Sequence, residues 1–349
     1  MISELVPVRF DPVSARRDAW ARYHEMRRLR HAELNPDDPL EPDEIVELQM
    51  KRPNPFELRH HYEISRDAVM LSKLYAETTT PENPEYETNK HLMWADIYVR
   101  EDQRRKGVAS LWLPLIAQLM HERGCTVVGG SVHSESAHPF MRWLGAERKL
   151  GEIESRLKLA DVDWELMKRW VEEGERRSPS TRLEIYDEPL PESMWAEYAA
   201  QRTALLNTMP FEDLDIGTII ITPERVREHY ERMAEIGEVE HEVLTREPDG
   251  VISAMTDVSW AAYRRALVQQ QFTGVLPAAR GRGLGKWIKA AMVLHVRDLH
   301  PDAEWIVTEN AGSNAAMLAI NRAMGFKPHR TMVEYQISRE KLEQKIRAL

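Results

Sequence analysis

The feature that most limits what this chain can fold into is a repeat. At Val99 and again at Val275 a valine is followed five residues on by an arginine, Arg104 or Arg280, and then by Gly107 or Gly283. Arg104 and Arg280 lie 176 residues apart, and two glycines placed to end helices, Gly145 and Gly325, lie 180 apart. Anchors that agree to within four residues, with the same order of elements around each, point to an internal duplication. The 349 residues then divide into two halves of ordinary domain size. The boundaries read from the sequence are 1–174 and 182–349.

Apolar periodicity predicts the elements of each half. The first half reads as a strand over 4–10 and a helix from about 12 to 34, with Trp20, Tyr23, Met26 and Leu29 at helical spacing. A second helix runs from Pro42 to about 50. Strands follow over 57–64, 69–77 and 91–99, then a helix over 109–123, a strand over 126–132 and a helix over 139–144. The second half repeats the order: strand 183–187, a helix holding Trp195, Tyr198 and Leu205, helix 224–236, and strands 240–246, 252–261 and 267–275. A helix to 299, strand 304–308, helix 315–324 and strand 331–337 complete it. The polar stretch 174–181, after a helix with Trp164, Met167, Trp170 and Val171 on one face, reads as an exposed interdomain linker.

Composition narrows the function classes. With 47 Lys+Arg against 57 Asp+Glu the net charge is −10, which argues against a chain-wide footprint for nucleic acid. An apolar share of 42% supports packed cores rather than disorder. Cys125 is the only cysteine, so neither an intramolecular disulfide nor a cysteine-built zinc site can form. Stretch 111–120 is broken by Pro114 and Gln118 and is far short of the ~20 residues that span a bilayer. Met1-Ile2-Ser3-Glu4 lacks the basic region and apolar run of a leader. The expectation is a soluble, cytoplasmic monomer or homodimer with no nucleic acid, membrane or metal partner.

The chemistry lies in the second copy of the loop, Val275-Leu-Pro-Ala-Ala-Arg280-Gly281-Arg282-Gly283-Leu284-Gly285-Lys286. Alternating glycines let backbone N–H groups converge on an anion, and the following helix adds a partial charge of roughly +0.5 at its start. Arg280, Arg282 and Lys286 raise the positive field. The spacing G-x-G-x-G is not the dinucleotide G-x-G-x-x-G, and Trp287 stands where a Walker A loop needs Ser or Thr. Diphosphate held by main chain is the reading these residues support, beside a glycine-rich helix start with no ligand.

Arg280-x-x-Gly283-x-Gly285, with Val275 and Pro277 before it, resembles the coenzyme A loop of the GNAT acyltransferases, [RQ]-x-x-G-x-[GA]. Asn310-Ala-Gly-Ser-Asn314, then Asn321 and Gly325-Phe326, is similar to the family's N-x-x-A…G-F helix, in which an asparagine contacts the pantetheine arm. The element order agrees too, over nearly the whole chain. The resemblance implies an α/β (α+β) protein of two tandem GNAT folds, each a mixed, mostly antiparallel sheet flanked by helices, and it is loosely similar to mycothiol synthase. It implies acetyl-CoA as cosubstrate, held by Val275, Arg280, Gly281, Arg282, Gly283, Leu284, Gly285, Lys286, Asn310 and Asn314. The first copy has Arg105 and Ala109 where the second has Gly281 and Gly285, and no asparagine matching Asn310 or Asn314. It is expected to be degenerate, structural or substrate-shaping.

The family often places a glutamate base on the strand before the loop and a tyrosine acid four residues before the helix-ending glycine. Here those places hold Gln269-Gln270-Gln271 and Asn321. Glu309 and Tyr335 are the replacement base and acid expected from the sequence, with a helix cap and a packed strand residue as their plainer readings. Glu212-Asp213-Leu214-Asp215 reads as a solvated loop, His60-His61 and His133 with His138 as histidines without a metal, and Arg27-Arg28-Leu29-Arg30 as a solvated helix face. The implied activity is acetyl transfer from acetyl-CoA to a primary amine of a small molecule. A non-catalytic acyl-CoA-binding regulatory module and a protein-lysine acetyltransferase are the alternatives.

Overall fold

A computed structural model describes residues 4–349; Met1–Ser3, part of the leader reading, lie outside them. The first half supplies β1 (Val8–Arg9), α1 (Arg17–Leu34), α2 (Asp43–Lys51), β2 (Glu57–Arg66), β3 (Val69–Thr79), the single-turn α3 (Tyr86–Asn89) and β4 (Leu92–Val99). It continues with α4 (Leu113–Arg123), β5 (Val127–Val132), α5 (His138–Leu144), β6 (Glu147–Lys158) and α6 (Trp164–Arg177). The second half supplies β7 (Arg182–Tyr186), α7 (Trp195–Leu206), α8 (Pro223–Glu235), β8 (Glu238–Arg246), β9 (Ile252–Ala261) and β10 (Leu267–Val275). After these come α9 (Leu284–Leu299), β11 (Trp305–Ala311), α10 (Ala315–Met324), β12 (Lys327–Ser338) and α11 (Arg339–Arg347).

Two compact units form, and they are not the two halves. One runs to Gly151 and takes in Phe211–Thr218 and Met332–Leu349; the other comprises Glu152–Pro210 and Ile219–Thr331. Residues 152–174 and 332–349 therefore leave the halves 1–174 and 182–349 in which the sequence had placed them. Each half gives its last strand and last helix to the unit built mainly by the other. Strand propensity and periodicity say that a segment is a strand, not which sheet it joins.

In the first unit the sheet order is β1-β2-β3-β4-β5, with the end of β12 beside β5. All these neighbours are antiparallel except β4 and β5. Adjacent residues of β4 serve opposite faces: Ile97 packs with Trp112, Leu113 and Ile116 around α4, and Tyr98 packs with Met26 of α1. Ile337 and Leu342, from β12 and α11, complete the α4 cluster.

The second unit has the order β6-β11-β10-β9-β8-β7, antiparallel except for β10 with β11. Here β6 pairs with β11 from Glu152↔Ala311 to Lys158↔Trp305. Val243, Val258 and Val268 face α9 and α6, while Leu244 and Met255 face α7 and α8. Because α9 is covered by the sheet and by α6, it is apolar nearly all round, with Leu284, Trp287, Ile288, Ala290, Met292 and Val296 buried.

The segment read as a linker is part of this core. Helix α6 runs through Gly174 to Arg177, and Ser178 and Thr181 are buried. Gly174 lies so close to the Trp287 ring that an added Cβ would come within 2.3 Å of it. Polarity hid this packing, because a glycine and two hydroxyl residues look exposed in sequence. Strand β6 also went unseen, since its first residues, Glu147-Arg148-Lys149-Leu150-Gly151-Glu152, carry little strand propensity. No helix of the described residues is long and apolar enough to cross a membrane. Overpacking against a rigid indole costs about 1–3 kcal/mol, so Gly174→Ala is expected to lower the urea midpoint by that free energy divided by the m-value. An unchanged midpoint would refute the close packing of α6 on α9.

Candidate functional site

In the second unit the loop between β10 and α9 takes its shape from two left-handed residues, Gly281 at φ 80° and Gly283 at φ 88°. Space is open around Gly281, so backbone conformation rather than crowding selects glycine there. Arg280 closes the loop, its Nε donating to the Val275 carbonyl at 3.2 Å and its Nη2 to Thr208 Oγ1 at 3.1 Å. Helix α9 starts directly after Gly283. The amides of Leu284 and Gly285 precede the first backbone bonds of the helix, which Lys286 N and Trp287 N make to the Gly283 carbonyl, and this makes them anion donors. Leu284 and Gly285 are buried in the turn, and Gly285 faces Ile320 and the half-buried Val275.

The three basic residues divide their work. Arg280 and Lys286 are exposed, with the Lys286 ammonium 4.9 Å from the Trp170 ring centre. Arg282 turns back instead, pairing with Glu247 at 2.8 Å and donating to Ser178 Oγ at 3.2 Å and Thr181 Oγ1 at 2.5 Å. Burial pushes the Glu247 carboxyl up, but donors from Arg282, Ser253 and Thr181 outweigh it and hold the group below the usual range. Arg282 therefore braces the loop rather than adding an unmatched charge to it.

Behind the loop the sheet opens. β10 and β11 pair from Leu267↔Trp305 to Gln270↔Thr308, and then separate while β10 continues to Val275 and β11 to Ala311. At that point the register of β10 with β9 slips between Gln270 and Phe272. Val268 and Phe272, four apart, would share a face in a regular strand, but the extra residue turns Phe272 into the α7 cluster. Bulge and divergence together leave a wedge that leads to the loop.

No family model and no curated protein sequence matches this chain. Solved structures do. A tandem GNAT protein from the clavulanic acid biosynthesis pathway superposes with a TM-score of 0.73 at 17% identity, covering 96% of this chain and 99% of that one. The fold is that of a tandem GNAT protein. A GCN5-related N-acetyltransferase from Sphaerobacter thermophilus gives a TM-score of 0.65 at 14% identity, covering 96% of each chain. The glucosamine N-acetyltransferase region of a fungal multi-domain β-N-acetylglucosaminidase gives 0.65 at 13% identity, covering 95% of this chain and 38% of that one.

Within the GNAT fold the remaining site residues are only partly gathered. Glu309 is exposed on β11, one residue beyond its last pair with β10. Asn310 accepts a 2.7 Å hydrogen bond from Asn321 Nδ2, tying the end of β11 to α10. Asn314 caps α10, its Oδ1 accepting from Met317 N at 3.3 Å. Tyr335 belongs to the first unit: it faces Gly130 across β5 and its hydroxyl lies 3.0 Å from His138 Nδ1. Glu309 and Tyr335, the base and acid expected from the sequence, belong to different compact units, because β12 gives its residues from Met332 onward to the first.

Two buried polar groups of the second unit escaped the sequence. Lys289 is 1% exposed; its Nζ donates to Gln270 Oε1 at 2.5 Å, at the last paired position before the wedge, and burial pushes it down to about 7. On the opposite face Arg202 donates to both oxygens of Asp257 at 3.0 and 3.4 Å and to the Tyr198 hydroxyl at 2.6 Å. Tyr198 donates in turn to Glu242, whose carboxyl is pushed far up by burial and by Asp257. Asp257 pairs with Phe272 across the bulge, so this network anchors the strand where it distorts. An aspartate, the one charged residue of its strand, was the visible signal, but its arginine lies 55 residues upstream on a helix.

The first unit keeps more of the loop than its residues suggest. Arg104 Nε donates to the Val99 carbonyl at 3.1 Å, as Arg280 does to Val275, and Arg105 and Gly107 hold φ 61° and 82°. A non-glycine residue in that region costs roughly 1–2 kcal/mol, so the shape persists against a local penalty. β4 and β5 part after Trp94↔Gly129, and a cavity of about 670 Å³ lies between the loop and Ser131–Phe140. Arg104 also donates to Glu33 at 2.5 Å, and the Tyr98 hydroxyl donates to the same carboxylate at 2.8 Å. Unlike α9, α4 begins only at Leu113, after a 3₁₀ turn over Ala109–Trp112.

Lys289 has a pH signature. A base whose folded value is lowered binds fewer protons when folded than when unfolded, so stability rises with pH between about 7 and the ordinary 10.5. The unfolding free energy of the wild type relative to Lys289→Met is expected to climb across that window by up to about 1.4 kcal/mol per pH unit. Parallel curves for the two proteins would rule out a buried, proton-poor lysine.

Proposed function

We propose that the protein is a GNAT-type N-acyltransferase that moves an acetyl group from acetyl-CoA to a primary amine of a small molecule, in the cytoplasm. The observation that carries this reading is the second-unit loop: left-handed Gly281 and Gly283, an uncapped helix start and exposed Arg280 and Lys286, opening onto the wedge between β10 and β11. Those groups suit a diphosphate, and the wedge suits the extended arm behind it. The coenzyme supplies an activated thioester acyl group.

The chain's own contribution is placement and charge. The loop amides and Arg280 hold the diphosphate end, which fixes how far the arm reaches between the strands. Past Gln270 and Thr308 the backbone groups of β10 and β11 no longer bond each other and are the donors on hand for a carbonyl oxygen that gains negative charge. Glu309, exposed at the same level, is assigned the proton that the attacking amine gives up. Tyr335 has no part in this unit. The first unit's cavity supports a second reading, in which it takes a coenzyme too, since its loop has the same left-handed form.

A screen of amines with acetyl-CoA, read as CoA release and product mass, tests the proposal. Arg280→Ala removes a charged donor worth about 1.5–3 kcal/mol, so its KM for acetyl-CoA is expected to rise roughly ten- to hundredfold. Glu309→Gln is expected to lower kcat and flatten the acid limb of the pH–rate profile. Tight binding with no CoA release would favour a regulatory module, and release only with peptides would favour a protein acceptor. Equal loss of binding from Arg104→Ala and Arg280→Ala would overturn the assignment to the second unit.

A further inference from the structure

We propose that Asp187, His241 and His295 form a binding site for one divalent transition-metal ion of the zinc class, in the second unit and apart from the acyl-transfer machinery. This departs from the metal-free reading of the sequence. The three residues come from just past the end of β7, from β8 and from α9, and their donor atoms all lie within 4.8 Å of one another. His295 is eleven residues along α9 from the loop, about 16 Å at 1.5 Å per residue.

The geometry is that of a metal site awaiting small adjustments. Asp187 Oδ1 lies 2.9 Å from His241 Nδ1 and 2.5 Å from His295 Nε2, so one carboxylate oxygen is aimed at both rings. Zinc bonds of about 2.0–2.1 Å in a tetrahedral arrangement need donors roughly 3.3 Å apart, a modest spreading of these contacts. Two imidazoles and a carboxylate are ligands that zinc, cobalt and nickel accept, and they need no cysteine.

The outer side of the site is built as well. His241 is buried, and its other nitrogen, Nε2, lies 2.8 Å from His300 Nε2. His300 is stacked on Trp260 with ring centres 4.4 Å apart. A ligating histidine is oriented by a partner on its second nitrogen, which is the place His300 holds. With Nδ1 on the metal, the His241 proton resides on Nε2 and is donated to His300. Asp187 is exposed and His295 partly so, which leaves water access to the remaining coordination positions. The histidine pairs noticed in the sequence lack this convergence: His138 is engaged by Tyr335, and His60 and His61 are successive strand residues directed to opposite faces.

The test is titration of the full, chelator-treated chain with Zn²⁺ by calorimetry and with Co²⁺ by visible absorption. One equivalent of Zn²⁺ is expected, with a Co²⁺ ligand-field band that Zn²⁺ displaces. His295→Ala and Asp187→Asn are expected to weaken binding at least tenfold, and His329→Ala, an exposed histidine elsewhere, to leave it unchanged. His295 is partly exposed, so its variant keeps the test meaningful if His241→Ala fails to fold. Absence of the Co²⁺ band, or equal Zn²⁺ affinity in wild type and His295→Ala, would overturn the site.

Discussion

The pairing of β6 with β11 and of β12 with β5 carries the last strand and helix of each sequence half into the unit built mainly by the other. Burial follows from that exchange. Leu157, Met167 and Trp170 reach the α9 cluster through β6 and α6, and Ile337 and Leu342 reach the α4 cluster through β12 and α11. Without the incoming segment, β11 would lose an antiparallel neighbour and α9 would lose the helix that covers Trp287. The apolar area involved is the main favourable term available to such a domain.

The same segment shapes the candidate site. Gly174 lets α6 lie flat on Trp287, three residues into the helix whose start faces the loop. Just beyond it, Ser178 and Thr181 receive hydrogen bonds from Arg282, so the loop is braced by residues that arrive with the exchange. Arg280 is left to span Val275 and Thr208 at the mouth. Core packing and anion-site geometry are therefore one problem in this unit. The Arg202–Asp257–Glu242 network holds the other face of β10 and β9 at the bulge, where removal of one partner would strand a buried charge.

What could be read from the sequence was what is local. Gly281 and Gly283 imply positive φ, Gly145 and Gly325 imply helix ends, and β-branched runs imply strands; each is decided within a few residues. The α/β character and the two-copy order followed from those signals. What could not be read was pairing at long range. Tyr335 is a strand residue on either side of the exchange, so its place in the first unit had no local sign. Asn310 and Asn314 were read only as ligand contacts, and the bond of one to Asn321 and the cap the other makes on α10 were not foreseen. The first copy looked degenerate because Arg105 replaces a glycine, yet the backbone keeps the left-handed form.

The central claim is that the folding unit is not the sequence half. The direct measurement compares two fragments by circular dichroism and urea unfolding: residues 152–331, which hold the part of β6 that pairs with β11, α6 and all of α9's cover, and residues 182–349, the second half as the repeat defines it. The exchange predicts a cooperative unfolding transition for 152–331 and an unfolded or aggregated chain for 182–349. A cooperatively folded 182–349 alongside an unfolded 152–331 would contradict it.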